Sequence, residues 1–261
     1  MKIKEGKVIL SNGKNITRHT GYDNQPFFHP SKPVIYYSSF NDSDRSDIKY
    51  FDYKKNTTAN LTLTREREYS PVVTPDGKFI SCIIQRDNGA QDLGKYPIHG
   101  GEPTVLISDL VVGYHAWADK NRLLLFVLAD SNRHTLRDYY LLAKRDTVLA
   151  MNIGRSLHKI PGVETMSFVQ KVNDKEFAVK KYDLSTGAIT DIAIIQGTDH
   201  LTWLNNGLIL TSSGAQLFSY RADTDSNWQP VVIEGDRAML KGITRLAANT
   251  KNDKLAVVVS E

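Results

Sequence analysis

The sequence lacks several features that would assign a function directly. Its 261 residues contain a single cysteine, Cys82, so no disulfide can form within the chain. No segment approaches the roughly 20 consecutive apolar residues of a membrane-spanning helix. Lysine and arginine are scattered, and a net charge of +4 on a chain of this length does not indicate a nucleic-acid-binding surface. We therefore expect neither a transmembrane segment nor a nucleic-acid partner.

Catalytic motifs are missing as well. The chain has no Gly-x-Ser-x-Gly, His-Glu-x-x-His or Cys-x-x-Cys sequence. Asn12-Gly13 and Gly100-Gly101 resemble phosphate loops in composition, but no helix is predicted after either pair, so both are interpreted as hairpin turns. Cys82 falls in a predicted buried strand and is expected to act as a small core residue. The sequence therefore favours binding over catalysis, and the question of an enzymatic activity stays open.

A short segment recurs six times along the chain at intervals of 43 to 45 residues. The anchor residues of the six copies are Phe28, Val73, Trp117, Ile160, Trp203 and Ala247. A period in the low forties with several short strands in each unit is typical of a β-propeller blade. The spacing therefore predicts an all-β fold, a six-bladed β-propeller.

The second copy shows the composition of a repeat most clearly. Val72 and Val73 lead into Pro75-Asp76-Gly77, a tripeptide with strong turn propensity, and Phe79–Ile84 follows as a buried strand. A second pair of apolar segments, separated by a polar turn, follows in each of the first five copies. Two hairpins in each period predict four-stranded blades.

The two ends of the chain complement each other. The sixth copy ends after two predicted strands, and its outer hairpin is missing. Lys2–Leu10 and Asn15–His19 precede the first copy, and Ile16 lies 12 residues before Phe28, as Leu61 does before Val73. Residues 1–19 are therefore predicted to complete the last blade. Residues 1–261 would then form a single closed ring without free sheet edges, and we expect it to be monomeric.

Two segments carry a resemblance to a known family. The run Pro-x-x-x-Pro-Asp-Gly-Lys-x-Ile-x-x-x-Ile at 71–84, and Asn-Gln-Pro-Phe-Phe-His-Pro at 24–30, resemble the repeat of the TolB-like propellers. The resemblance implies a bacterial, often exported propeller that binds another protein across the mouth of its channel. It covers the propeller part alone, without the N-terminal α/β domain of TolB. No partner-binding residue is carried over, because the matching positions belong to the scaffold.

The resemblance also bears on localisation. It implies a periplasmic or otherwise exported protein, provided that a signal peptide has been removed. Residues 1–7 contain no apolar segment typical of a signal peptide, so a native Met1 would instead indicate a cytoplasmic protein.

Four histidines lie near anchors of four different repeats: His29, His115, His158 and His200. Imidazoles that converge on the channel could bind a divalent metal ion. Their offsets from the anchors are +1, −2, −2 and −3, however, and side chains of a regular strand alternate between its faces. Metal binding is therefore left open, and no cofactor is expected. The alternative function that this set suggests is a carbohydrate-active propeller, an oligosaccharide lyase or a glycan-binding protein with a histidine-lined channel.

Four charged residues lie within six positions before an anchor: Arg155, Asp199, Lys241 and Arg245. They could line the channel mouth and bind a peptide or an acidic sugar through charge-assisted hydrogen bonds. Trp117 and Trp203, by contrast, are predicted to pack between blades. The leading hypothesis is a non-enzymatic TolB-like propeller with a protein or peptide partner, and a small ligand or glycan remains open. A peptidase fragment is disfavoured because the predicted ring closes on itself.

Overall fold

The computed structural model describes residues 1–41, 45–130 and 133–260. Almost all regular structure in this part of the chain is β-strand, and a short 3₁₀ helix spans Arg237–Leu240. No helix in the described ranges has the length and apolar character needed to cross a membrane. The all-β prediction is confirmed.

The strands are numbered along the chain. An N-terminal hairpin consists of β1 (Lys2–Lys4) and β2 (Lys7–Leu10). It is followed by five four-stranded antiparallel sheets, in each of which the strands pair in chain order. The first sheet consists of β3 (Asp23–Phe28), β4 (Val34–Phe40), β5 (Ser46–Asp52) and β6 (Thr57–Asn60). The second consists of β7 (Arg67–Val73), β8 (Phe79–Gln85), β9 (Gln91–Pro97) and β10 (Thr104–Ile107).

The next three sheets continue this pattern. The third consists of β11 (Val112–Trp117), β12 (Arg122–Val127), β13 (Thr135–Tyr140) and β14 (Arg145–Met151). The fourth consists of β15 (Ile153–Lys159), β16 (Thr165–Lys171), β17 (Glu176–Asp183) and β18 (Ile189–Gln196). The fifth consists of β19 (Leu201–Trp203), β20 (Ile209–Ser213), β21 (Gln216–Tyr220) and β22 (Gln229–Pro230). After β23 (Val232–Ile233), a sixth sheet contains β24 (Ile243–Ala248) and β25 (Leu255–Val259).

The second sheet illustrates why the repeats fold in this way. Asp76 accepts a hydrogen bond from the Lys78 amide, and Gly77 has a φ of 69°, which glycine adopts without steric cost. Strand β8 then has both faces buried. Cys82 packs towards the core of the first sheet, whereas Ile83 packs towards the third. Burial raises the pKa of the Cys82 thiol, so this cysteine is the inert core residue that the sequence predicts.

Two tryptophans join neighbouring sheets in the same way. Trp117 donates from Nε1 to Ser81 Oγ at 2.9 Å, and Trp203 donates to Ser167 Oγ at 2.8 Å. In both pairs the serine lies on the second strand of the preceding sheet and 36 residues earlier in the chain. The tryptophans therefore pack between sheets, as predicted.

The first strand of each sheet also contacts the first strand of the next sheet, in the order β3, β7, β11, β15, β19 and β24. Strand β24 in turn contacts β3. The circuit of contacts thus returns from the last sheet to the first.

The N-terminal residues pair differently from the prediction. Strand β2 pairs in parallel with β23, where Ile9 lies opposite Val232, and no described strand of this segment pairs with β25. Residues 15–19 form no strand, because Asn15 Oδ1 accepts hydrogen bonds from the Thr17 and Arg18 amides and turns the chain. Burial of apolar side chains explains the position of the hairpin, since Val8 is buried against the fifth and sixth sheets.

Candidate functional site

The first strands of the sheets are irregular near their beginnings. Five of the six described first strands contain a register shift in their pairing with the second strand: β3, β7, β11, β15 and β24. Gln25 and Ser70, 45 residues apart, both have a φ near +55°. The Gln25 carboxamide oxygen stabilises this arrangement by accepting hydrogen bonds from the Ser70 amide and the Ser38 hydroxyl. Such bulges redirect side chains, so an offset from an anchor does not predict which way a residue faces.

One residue from each of the six sheets, or from the segment leading into it, contributes to a single cluster. We call this the six-residue cluster, and its members are Tyr22, Tyr69, Tyr114, Arg155, Asp199 and Arg245. The ring centroids of Tyr22 and Tyr69 are 6.2 Å apart, in an edge-to-face arrangement. Arg245 Nη2 donates to the Tyr114 hydroxyl at 3.2 Å, and its guanidinium carbon lies 5.9 Å from the Tyr114 ring centroid. Cationic and aromatic groups from distant parts of the sequence thus meet here.

The strongest contact in the cluster joins Arg155 and Asp199. Nε and Nη2 of Arg155 donate to the two Asp199 oxygens at 3.0 and 2.9 Å, and the Arg155 amide donates to Oδ2 at 3.0 Å. Burial by itself would raise the pKa of Asp199, but the hydrogen bonds and charge of Arg155 outweigh it and lower that pKa. Asp199 is therefore ionised at neutral pH and fixes the guanidinium in a bidentate geometry.

Gly154 permits this pair to form. A Cβ atom at position 154 would lie 2.8 Å from Asp199 Cβ and 3.2 Å from its Oδ2. Contacts that short are not tolerated, so any larger residue would displace the Asp199 carboxylate. The glycine is required by close approach, since its φ is not in the left-handed region.

His200 adjoins the cluster and carries no charge at neutral pH. Its Nε2 is 2.8 Å from Ser212 Oγ, and Nδ1 contacts Thr198 Oγ1. Burial, with a further contribution from the charge of Arg245, lowers the pKa of His200 to about 4. Arg245 itself forms no ion pair with any carboxylate in the described ranges. The cluster therefore contains two guanidinium groups and one carboxylate.

An open cleft of about 580 Å³ begins at the Arg155–Asp199 pair. Its walls are formed by Arg133 and His134, just before β13, and by the β16–β17 loop. They lie at the same end of the sheets as the beginnings of the first strands. Phe126 and His134 line one side, with ring centroids 4.8 Å apart, and Phe126 also packs edge-to-face on Tyr114. This aromatic contact connects the cleft to the six-residue cluster.

The cleft carries more positive than negative charge. Arg133, Arg155 and Lys171 line it together with Asp199. Lys171 pairs with Asp174, whose side chain is 94% exposed, and a pair so open to solvent is weak. Arg133 has no ion-pair partner among the residues described. An acidic group that enters this cleft would therefore meet cations that are not already neutralised.

The structure brings together Arg155, Asp199, His200 and Arg245 of the predicted site residues. His115 lies between the second and third sheets, where its Nε2 is 2.7 Å from Ser81 Oγ and burial lowers its pKa to about 3. His158 is also enclosed, and burial lowers its pKa to about 4 even though a hydrogen bond with the Leu201 backbone opposes the shift.

The remaining two predicted residues lie elsewhere. His29 lies in the β3–β4 turn, at the opposite end of the sheets, and Lys241 is exposed directly after the 3₁₀ helix. The four histidines of the predicted set thus do not converge. No three His, Cys, Asp or Glu side chains in the described ranges are grouped so that they could hold a metal ion. The ligand geometry on which the metal hypothesis depended is not present among these residues.

Sequence reasoning missed the aromatic members of the site. Tyr69 and Tyr114 are 45 residues apart, which is one repeat period, and Tyr22 lies 47 residues before Tyr69. A tyrosine recurring at the period was the signal that could have identified them. His134 and Phe126 gave no comparable signal, because they enter the cleft from a loop and a second strand.

Comparison by sequence is uninformative, since no protein-family model and no curated protein matches the chain. Solved structures do match it in fold. A chain of a nidogen/laminin complex aligns with a TM-score of 0.66 and 12% identity, over 87% of this chain and 84% of its own length. The architecture is therefore that of a β-propeller.

Two further matches specify the kind of propeller. Putative TolB from Agrobacterium tumefaciens aligns with a TM-score of 0.64 and 11% identity, over 93% of this chain and 82% of its own. TolB from Acinetobacter baumannii aligns with a TM-score of 0.61 and 14% identity. The alignment covers 82% of this chain and 58% of the TolB chain. The chain has a TolB-like propeller fold, as its repeats indicated, and identities this low establish the fold alone.

Proposed function

We propose that this protein is a non-enzymatic, six-bladed propeller that binds another protein at the mouth defined by the six-residue cluster and its cleft. The observation that carries the proposal is the cluster itself. Six repeats that differ in sequence each contribute one residue to the same small volume at one end of the sheets. The three tyrosines and two arginines offer aromatic and cationic groups to a ligand at this end of the sheets.

The ring is proposed to contain residues 1–261 as one monomeric domain. The return contact between β24 and β3 supports closure, as does the occurrence of four-stranded sheets at the repeat period. A location in the bacterial cell envelope is part of the proposal and follows from the TolB-like fold. Nidogen supports protein binding as a mode of action, because the matching structure is a complex with laminin.

The chemistry of the mouth favours an acidic partner segment with an apolar neighbour. A carboxylate can pair with Arg133 or Arg245, which have no ion-pair partner among the described residues. An aliphatic or aromatic side chain can pack on Phe126 and His134, since the cleft volume lies within the range of ordinary ligand sites. Arginine and tyrosine side chains are enriched among the residues that dominate binding energy at protein interfaces.

A site-specific crosslink tests this proposal. A photocrosslinking amino acid would replace Val172, which is 56% exposed at the cleft, and, as a control, Leu142, which is 88% exposed at the opposite end of the third sheet. In envelope extracts of the source organism, we expect position 172 alone to yield a discrete protein adduct. Equal labelling from both positions, or none from 172, would contradict the proposal.

Two substitutions make the test quantitative. Arg245→Gln removes a guanidinium, and Gly154→Ala displaces Asp199 from Arg155. Arg245→Gln is expected to reduce the yield of the adduct by roughly tenfold, the effect of losing one charge-assisted hydrogen bond to the partner. Gly154→Ala should also reduce the yield, because the Arg155 guanidinium loses the bidentate geometry that Asp199 gives it. Thermal unfolding of each variant separates loss of binding from loss of folding. The carbohydrate-active alternative would be favoured instead if a purified acidic oligosaccharide prevented formation of the adduct as effectively as an excess of the partner does.

A further inference from the structure

A second cleft lies where the sixth sheet meets the first. It has a volume of about 360 Å³ and is formed by the β3–β4, β5–β6 and β24–β25 turns. These turns lie at the end of the sheets where the first strands finish, whereas the six-residue cluster lies where the first strands begin. The two clefts are therefore separate, and the inference below does not depend on the proposed protein binding.

Four lysines line this second cleft: Lys32, Lys54, Lys251 and Lys254. No carboxylate in the described ranges forms an ion pair with any of the four. Asp253 is the one acidic residue of the lining, and its Oδ1 accepts a hydrogen bond from Asn249 at 2.7 Å. The four lysines are exposed and outnumber this carboxylate, so an anion bound in the cleft would meet an excess of positive charge.

A buried hydrogen-bond donor borders the same cleft. His29 is only 7% exposed, and its Nδ1 accepts hydrogen bonds from the Ser31 and Lys32 amides at 3.1 and 3.0 Å. Burial and the charge of Lys32 lower the pKa of His29, so the ring is neutral and its proton lies on Nε2. This Nε2–H has no partner among the described residues, and a buried donor without an acceptor is costly. The Nε2 atom is itself fully buried, so a ligand can reach it only when a covering side chain moves aside.

The cleft is also held in shape before any ligand binds. Asn249 Oδ1 accepts hydrogen bonds from the Asp253 and Lys254 amides, which fixes the β24–β25 turn. The backbone amide of Asn205 donates to Asn252 Oδ1. Thr250 Oγ1 donates to the Pro30 carbonyl across the junction at 2.8 Å. A rigid site loses little conformational entropy on binding, which favours affinity for a small ligand.

We propose that this cleft binds a phosphate-bearing small molecule, with its dianionic group held by the lysine ammonium groups and the His29 Nε2–H. Lysine serves as a point charge for phosphate, and four such charges match a dianion better than a single carboxylate. The volume exceeds that of a bare phosphate ion and lies within the range of small-molecule sites, so a phosphate ester is the class of ligand that fits. Such a ligand would bridge the sixth and first sheets.

Calorimetric titration of the full chain tests the proposal, with glucose 1-phosphate and inorganic phosphate as probes and glucose as the neutral control. We expect saturable binding of both anions, tighter binding of the ester, and a higher melting temperature in its presence. The double variant Lys32→Gln/Lys251→Gln should bind at least roughly tenfold more weakly. Its matched control is Lys78→Gln/Lys120→Gln, because these exposed lysines occupy the equivalent turns of the second and third sheets.

Three outcomes would overturn the proposal. The first is no saturation by either anion up to about 10 mM, the limit of a meaningful small-ligand affinity. The second is an equal loss of binding in the two double variants, which would indicate general attraction to a basic surface. The third is an ester that binds no tighter than inorganic phosphate. A proton NMR signal for His29 Nε2–H that shifts on titration of the wild-type chain would support the assigned donor.

Discussion

Two junctions between sheets differ in how they are stabilised. Between the third and fourth sheets, Arg122 donates from Nε and Nη2 to Asp138 at 2.9 and 2.7 Å, and the Tyr182 hydroxyl donates to the same carboxylate. Arg122 also donates to the Leu184 carbonyl. Large apolar side chains of both sheets, including Phe126 and Phe168, pack together at the same junction.

The junction between the sixth and first sheets is packed differently. Ala247 and Ala256 of the sixth sheet pack against the Phe28 cluster of the first. The Thr250 hydroxyl donates to the Pro30 carbonyl at 2.8 Å, and Asn249 forms a side-chain hydrogen bond with Tyr53. Solvated lysines surround the second cleft at its edge. The comparison indicates that an internal junction gains stability from desolvated polar groups and large side chains, whereas the closing junction leaves room and charge for a ligand.

The largest expected effect comes from the N-terminal hairpin, which covers the fifth and sixth sheets beside the closing junction. Deletion of residues 1–10 should lower the free energy of unfolding by about 5 kcal/mol, because Val8 and its apolar neighbours lose their burial. Urea denaturation measures this change. If the deletion prevents folding, Val8→Ala should still cost about 2 kcal/mol. Ile3→Ala, at an exposed position of the same hairpin, should have little effect, and an equal cost at both positions would contradict the packing described.

The next effect tests the internal junction directly. Asp138→Asn leaves the buried Arg122 guanidinium without its counter-charge and should lower the free energy of unfolding by about 3 kcal/mol. Chemical denaturation of the two proteins gives the difference. Asp174→Asn removes a carboxylate from the exposed pair with Lys171 and should change stability by less than about 0.5 kcal/mol. The contrast between the junctions would be lost if both substitutions cost the same.

Acid should weaken the internal packing through His115. Its pKa is about 3 in the folded protein and near 6.5 when unfolded, so between these values the unfolded chain binds more protons. Stability is therefore expected to fall as the pH drops below 6.5, and His115 would account for about 1 kcal/mol by pH 5.5. His115→Gln should reduce the slope of this dependence in denaturation curves recorded from pH 7 to 5. The remaining slope is expected from His158 and His200, whose pKa values burial also lowers. Replacement of the exposed His99 should leave it unchanged, and an unaltered slope in the His115 variant would refute the assignment.

The smallest effect is expected at the closing junction. Thr250→Val removes the hydrogen bond to Pro30 at an exposed position and should cost about 0.5 kcal/mol. Measured with and without glucose 1-phosphate, the loss should become smaller when ligand bridges the two sheets. A cost of several kcal/mol would mean that this junction depends on polar contacts as strongly as the internal one.

Much of the fold follows from local signals in the sequence. The recurrence of anchors such as Trp117 and Trp203 predicted the repeated four-stranded sheets, and Pro75-Asp76-Gly77 predicted the β7–β8 turn, because turn propensity and apolar alternation act over a few residues. The pairing of β2 with β23 could not be predicted in this way. It joins segments more than 200 residues apart and was selected by the burial of Val8.

The same distinction between local signals and tertiary contacts applies to the candidate site. The charged members Arg155, Asp199 and Arg245 were expected near the channel mouth because their spacing from the anchors could be counted in the sequence. Their assembly with Tyr22 and Tyr114 could not, because bulges in the first strands break the alternation of side chains on which such counting depends. The sequence by itself determined the number and nature of the repeats, since these depend on local periodicity. Only the tertiary structure decided which residues meet, because the bulges and the contacts between sheets set the direction of each side chain.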